Sequence, residues 1–506
     1  MQSADEQKQS ESPSPPSHLL SYDNGIGATH GEATRVTRAW WKMDCFVLPI
    51  VTSIFFLCFL DRGNVGNARI AGLQKDLNMS NYQYSLALTI TVIPYVLIEI
   101  PSNLWLKRIG PNIVLPLMTV LWGIATTLQG TVTSYGGLIA CRFFIGLFEG
   151  GLSPGCMLYL SSFYPRRQLQ LRISIYFTAP TIAGAFSGLL ASAILHMDGI
   201  GGKPGWAWVF ILEGLFTILF GLCTFFILPR TPSHVPFLTP EEKAYVARVL
   251  HDENTKLSQM TSGIRASDLT ARKTPYTDRD HDEDESYTSE KADKIRWRDV
   301  LRVLKLPHIW LIGIIAGVFN GATLSGLTYF TPSIVASLGY LANKAQLMSV
   351  PPFIVSFVLA IASSYLSDRY SKRGLTIIVF ALLGVAGFGI FLGSHHPHAR
   401  YASLFLILPG TYAMASPLVA WISNNTHTPY TTRATSIALL TVATNSGGIF
   451  STWLLGSWSK PPGYTSAAWC LGMFQVGIAV CAGVCWAWLW RENRRGSGVG
   501  EEQYVM

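Results

Sequence analysis

Residues 44–68 read Asp44-Cys-Phe-Val-Leu-Pro-Ile-Val-Thr-Ser-Ile-Phe-Phe-Leu-Cys-Phe-Leu-Asp61-Arg62-Gly-Asn-Val-Gly-Asn-Ala68. About 20 apolar residues of helix span a bilayer, and this run has that length. It also carries two opposite charges, Asp61 and Arg62, after an unbroken apolar stretch at 54–60. The preceding residues 1–17 are polar and rich in Ser, Glu and Pro. The run is too long for the core of a cleaved signal, so it reads as a true first span.

Similar runs follow near 83–105, 113–133, 137–160, 173–195 and 206–228, then a polar stretch at 230–305. Six more lie near 308–332, 347–367, 375–393, 402–422, 434–456 and 467–490. The pattern predicts an all-α integral membrane protein of twelve transmembrane helices in two six-helix bundles. The expected boundaries are a tail at 1–43, bundles at 44–229 and 306–491, a central loop at 230–305 and a second tail at 492–506. Composition agrees. Of 506 residues, 49% are hydrophobic and 13% charged, against about 25% charged in soluble domains. The central loop holds an acidic run at 278–285 and reads as mostly disordered, with a short amphipathic helix around 240–251.

The net charge of +8 does not signal nucleic acid, because the basic residues flank apolar runs. Arg35, Arg38 and Lys42 precede the first span. Lys107 and Arg108 follow the second, and Arg166, Arg167 and Arg172 the fourth. Arg369, Lys372 and Arg373 follow the eighth, and Arg491, Arg494 and Arg495 the last. By the positive-inside rule both termini and the central loop face the cytoplasm. The Asn78-Met-Ser80 sequon then faces outward, which makes Asn78 a glycosylation candidate. All eight cysteines sit in apolar runs without a CxxC pair, so they read as packing residues rather than disulfides or metal ligands.

Charge inside a membrane is costly and points to function. Asp61, Arg62, Arg142 and Glu149 stand out in the first half. Arg142 and Glu149 are seven residues apart on one helical face, about 10 Å along the axis. Asp61 and Arg142 fall at similar depth, with Glu149 and Tyr95 nearer the midplane. Arginine grips a carboxylate through paired hydrogen bonds, while an acidic group in a low-dielectric cavity can take and release protons. The bland reading is an ion-pair pin, Asp61 with Arg142 or Arg62 with Glu149. The second half offers Asn320 and Asn445 as polar candidates. Gly146-xxx-Gly150, Gly151-xxx-Gly155 and Gly184-xxx-Gly188 favour close helix packing. Pro154 and Pro180 loosen their helices. No phosphate-loop, HExxH or GxSxG pattern occurs, which argues against ATP-driven pumping and against an enzyme. No cofactor is expected beyond a proton gradient.

Several stretches resemble one family. They are Phe59-Leu-Asp-Arg-Gly-Asn-Val-Gly-Asn-Ala-Arg69, Glu99-Ile-Pro-Ser-Asn-Leu104, Arg142-Phe-Phe-Ile-Gly-Leu-Phe-Glu149, Gly205-Trp-Ala-Trp-Val-Phe-Ile-Leu-Glu-Gly214 and Tyr329-Phe-Thr-Pro332. Together they resemble the major facilitator superfamily, and within it the anion:cation symporter family in its fungal allantoate permease branch. The resemblance implies the major facilitator fold, alternating access and proton symport of a small organic anion. It implies that Asp61 and Glu149 are proton-linked, that Arg62 and Arg142 serve substrate charge and gating, and that Tyr95 and Asn445 are cavity contacts. The loop residues Lys107, Arg108 and Gly110, echoed by Asp368, Arg369 and Arg373, look like the superfamily's gating motif, with Lys107 where aspartate is usual. The seventh span lacks an arginine, which favours a monocarboxylate such as nicotinate. The expected partners are that substrate, protons and the lipid bilayer, with no nucleic acid, and the chain is expected to act as a monomer in the plasma membrane. The rival readings are a proton-antiport exporter, suggested by Ala179-Pro-Thr-Ile-Ala-Gly184, and a membrane nutrient sensor.

Overall fold

The computed structural model describes residues 30–252, 303–370, 372–426, 430–459 and 463–495. The acidic run at 278–285 lies outside the described residues, with most of the central loop. Every regular element among the described residues is helical. That is the backbone's only single-chain solution in hydrocarbon short of a closed barrel, because each N–H and C=O must be satisfied internally.

Among the described residues, eleven helices are long and apolar enough to cross a membrane. They are Arg38–Asp76, Pro111–Gln129, Tyr135–Phe163, Leu171–Met197, Gly205–Ile227, Ile309–Ser337, Ala342–Tyr370, Arg373–Gly393, Pro397–Asn425, Thr435–Trp458 and Thr465–Arg494. One more, Asn81–Ile109, is 29 residues long and less apolar, because it holds Glu99, Lys107 and Arg108. It stands second in chain order and completes six helices before the polar stretch and six after it. Leu97, Phe226, Val379 and Met473 are exposed, an apolar outer surface suited to lipid tails.

The two halves repeat one packing scheme. In the first half, helix one packs on five, two on four and three on six. In the second, seven packs on eleven, eight on ten and nine on twelve. The halves meet through helices one and seven, two and eleven, and five and eight. Small residues set these approaches. A Cβ on Gly146 would run into the Thr91 carbonyl, and one on Gly150 into that of Tyr95, so the fourth helix lies directly on the second. Gly184 and Gly188 of the fifth helix face the Phe353 ring and the Gln346 carbonyl of the eighth. The expected glycine seams therefore act both within one half and between the halves.

Breaks recur at matching places. The fourth helix parts at Gly150-Gly151 into Tyr135–Glu149 and Leu152–Phe163, and the tenth into Pro397–Tyr412 and Ala415–Asn425. The fifth parts into Arg166–Tyr176 and Ala179–Ile194. Pro154, Pro180 and Pro417 each lie in the first turn after a break, where a missing N–H costs no helical bond.

The halves are closed against each other on the side away from the described chain ends. There the Ser85 hydroxyl donates to the Thr452 carbonyl at 3.1 Å and lies 2.8 Å from the Ser457 hydroxyl. Gln346 donates to the Asn67 carbonyl at 3.4 Å, and Ser192 bonds Asn343. A Cβ on Gly66 would strike the Tyr329 carbonyl. On the other side Ser416 donates to Ser174 at 3.1 Å.

After the sixth helix the chain turns back onto the first half. The helix expected around 240–251 is present at 240–252. Thr239 and Glu242 form its capping box: the Glu242 N–H donates to Thr239 Oγ1 at 3.3 Å and the Thr239 N–H to Glu242 Oε2 at 2.9 Å. Lys42 reaches Glu242 at 2.7 Å and the Phe237 carbonyl at 3.3 Å. Arg172 holds Asp44 with two bonds of 2.7 Å.

Candidate functional site

A cavity where the halves meet is lined by Asp61 and Arg62 from the first helix and Thr91 from the second. Thr126 and Gln129 come from the third, Arg142, Ile145 and Glu149 from the fourth, Phe210 from the sixth and Tyr329 from the seventh. The four charges singled out in the sequence thus converge. They do so because Asp61 and Arg62 are adjacent on the first helix and Arg142 and Glu149 share a face of the fourth.

The pairing is unequal. Arg62 forms an ion pair with Glu149, with Nε donating to Oε1 at 2.7 Å. Its guanidinium sits between the rings of Phe59 and Tyr95, 5.0 and 5.2 Å from their centroids. Tyr95 therefore touches the site through Arg62. The Cys58 thiol donates to the same Glu149 oxygen at 2.7 Å. A thiol read from sequence as packing is thus a polar neighbour of the site.

Asp61 does not pair with Arg142, which corrects one of the two expected pins. Its Oδ2 accepts from Trp122 Nε1 at 2.6 Å and from Thr126 at 3.3 Å, while its Oδ1 has no partner among the described residues. Arg142 is buried, and its Nε and Nη2 likewise have no partner among the described residues. Phe210 lies 6.0 Å below its guanidinium. A buried cation with two unbonded donors beside a cavity is an anion-binding arrangement.

Four embedded charges is an undercount. Glu99 of the second helix and Glu213 of the sixth are also buried. Glu213 accepts from Asn64 through Oε2, and its Oε1 has no described partner. Arg69 lies in the turn that extends the first helix, where it donates to Gln74 and Asn81 at 2.9 and 3.0 Å. Glu213 was findable, because it is an uncompensated acid inside an apolar run. Trp122, Gln129 and Tyr329 carried no comparable signal; only helix neighbourhood brings them in.

Asn320 and Asn445 do not line this cavity. Asn320 is buried on the seventh helix and Asn445 half-buried on the eleventh. Of the loop-motif residues, Asp368 and Arg373 pair at 3.3 Å, while Arg108 and Arg369 are exposed. The Lys107 side chain lies outside the described residues. Gly110 ends the second helix at φ 103°, a conformation only glycine adopts without strain. Asn78 is exposed in the turn between the first two helices.

Twelve membrane-length helices among the described residues, in two matched halves around a charged cavity where they meet, are the architecture of a polytopic membrane carrier. The family model of the Major Facilitator Superfamily matches residues 51–452. Relatives include the MFS-type transporter cnsO of Penicillium expansum, 32% identical over 90% of this chain and 84% of its own length. Another is the major facilitator-type transporter hxnP of Emericella nidulans, 30% identical over 90% and 86%. Among solved structures, a D-xylose–proton symporter superposes with a TM-score of 0.62 at 15% identity, covering 87% of this chain and 96% of that one. At that identity the likeness is one of fold. The chain belongs to the Major Facilitator Superfamily and is a transporter.

Proposed function

We propose that this transporter is a proton-coupled symporter that imports a small organic monocarboxylate by alternating access. The observation that carries the reading is Arg142: a buried guanidinium with two donors unbonded among the described residues, lining the same cavity as Asp61 and the Arg62–Glu149 pair. A substrate carboxylate takes the two free donors of Arg142 in a bidentate contact. It also competes with Glu149 for Arg62. Freed from Arg62, Glu149 takes a proton, which links substrate and proton in one occupied state. The aromatic groups around the arginines, Phe59, Tyr95 and Phe210, suit a flat apolar body such as the pyridine ring of nicotinate. The basic flanks of the helices support cytoplasmic termini; the plasma membrane is the membrane proposed for an importer. With that orientation the closed contacts of Ser85, Gln346 and Ser192 lie on the outer side.

The test is uptake of labelled nicotinate, pantothenate, biotin, allantoate and a dipeptide in cells lacking their own carriers, at acidic and neutral external pH, with and without a protonophore. Expected is uptake of one acid, faster at acidic pH and abolished by the protonophore. Arg142→Lys, which keeps the charge but loses the fork, should weaken apparent affinity about tenfold, or about 1.4 kcal/mol. Uptake of none, together with lowered cellular accumulation of toxic organic compounds, would replace this reading with an exporter.

A further inference from the structure

We propose that Glu213 of the sixth helix is a further proton-carrying group, working with Asp61 as one carboxyl pair. The inference rests on the proton-coupled reading above and adds a residue to it.

Glu213 is 5% exposed and Asp61 6%. Asn64 follows Asp61 by three residues on the first helix, so both face the same way one turn apart, and Asn64 bonds Glu213. The third helix joins them from the other side. Its Trp122 and Thr126 hold Asp61, while the adjoining Gly123 lies against the Gly214 carbonyl, with a Cβ there 3.1 Å from that oxygen. Glu213 and the donors of Asp61 therefore occupy facing turns. Each carboxyl keeps one oxygen without a described partner, Asp61 Oδ1 and Glu213 Oε1.

No lysine or arginine is bonded to either acid among the described residues. The third helix contributes no ionisable group, and neither does the fifth-helix segment Ala179–Ile194. His196, just beyond it, bonds the Ser192 carbonyl at 3.1 Å. Arg69 and Asp76 lie further out along the first helix and bond Gln74 and Trp206 respectively. Arg142 and the Arg62–Glu149 pair share the cavity with Asp61; Arg62 is engaged by Glu149, and Arg142, bonded to neither acid, offsets one negative charge at most. Two neighbouring buried carboxyls facing one such cation do not both ionise, so they titrate as a unit. A proton entering the site forms an O–H bond at Oδ1 or Oε1. It leaves to water when the cavity opens to the other side. Proton carriage is thereby set beside the substrate's arginines rather than on the Arg62–Glu149 pair alone.

The test uses the full-length protein reconstituted in liposomes, with labelled nicotinate as probe. Glu213→Gln keeps the shape and the Asn64 contact but cannot titrate. Expected is nicotinate exchange close to wild type. Accumulation driven by one pH unit should fall about tenfold, since a proton moved down one unit contributes a factor of ten. Accumulation equal to wild type overturns the proposal. If Glu213→Gln loses exchange as well, Glu213→Asp decides: recovery of driven accumulation supports a proton role, and equal failure makes the residue structural. Infrared spectroscopy of the purified protein reads the same question without transport. A protonated-carboxyl band present in wild type and in Glu149→Gln but lost in Glu213→Gln is expected, and its persistence in Glu213→Gln sinks the idea. If wild type carries no nicotinate, the substrate reading is what has failed, and the infrared arm alone judges Glu213.

Discussion

Arg62 and Glu149 form the ion pair at the centre of the site, and on the proposed reading a substrate carboxylate competes with Glu149 for Arg62. Glu149 is 1% exposed and Arg62 20%. Removing one partner of a buried pair costs about 3–5 kcal/mol, because the other charge is left unmatched. The residual exposure of Arg62 places the cost of Glu149→Leu at the lower end of that range. Arg62→Leu combined with Glu149→Leu should be more stable than the Glu149→Leu single variant. Thermal unfolding of the purified protein in detergent checks this, and simple additivity of the two changes would show that the pair is not coupled. Cys58, on the same Glu149 oxygen, ties the pair to the first helix.

At the scale of elements, the 240–252 helix is held by its capping box and by Lys42. Burial raises the Glu242 carboxyl, but its bonds from Lys42 and the Thr239 amide outweigh this and bring it below the usual glutamate range. A lowered carboxyl stabilises the fold above its unfolded value, about 4.3. That contribution is lost as pH falls through the folded value. The helix should therefore stay docked at neutral pH and loosen in acid below about pH 4. Glu242→Ala removes the glutamate half of the capping box and the Lys42 ion pair, together worth about 1 kcal/mol, and should make this segment more sensitive to limited proteolysis already at neutral pH. Equal cleavage of variant and wild type would show that the helix is held by Val235, Leu238 and Val246 alone, all three buried.

For the whole molecule, closure on one side rests, among the described residues, on close backbone approach and uncharged hydrogen bonds. Such contacts can be broken and remade without stranding a charge. Ser85 and Ser457 lie hydroxyl to hydroxyl at 2.8 Å across the two halves, within reach of a disulfide. The double variant Ser85→Cys/Ser457→Cys should cross-link under mild oxidant and lose uptake, with reductant restoring it. Each single variant should stay active. Cross-linking with undiminished uptake would mean that this contact persists throughout the cycle and is not a gate.

Twelve spans, their grouping in sixes and four of the charges at the site were legible in the sequence, because a bilayer penalises every polar residue in a span and makes each exception visible. The same rule extended to residues 206–228 would have marked Glu213. Two features were decided by tertiary structure. Arg142 has no ion-pair partner among the described residues, and Asp61 is instead held through Oδ2 by Trp122 and Thr126 of the third helix. Tyr329, not Asn320, reaches the cavity from the second half, although Asn320 is just as buried on the same helix. Hydropathy registers how far a residue departs from its own span, whereas pairing depends on which face of which neighbouring helix it meets, and that is set by packing between the halves.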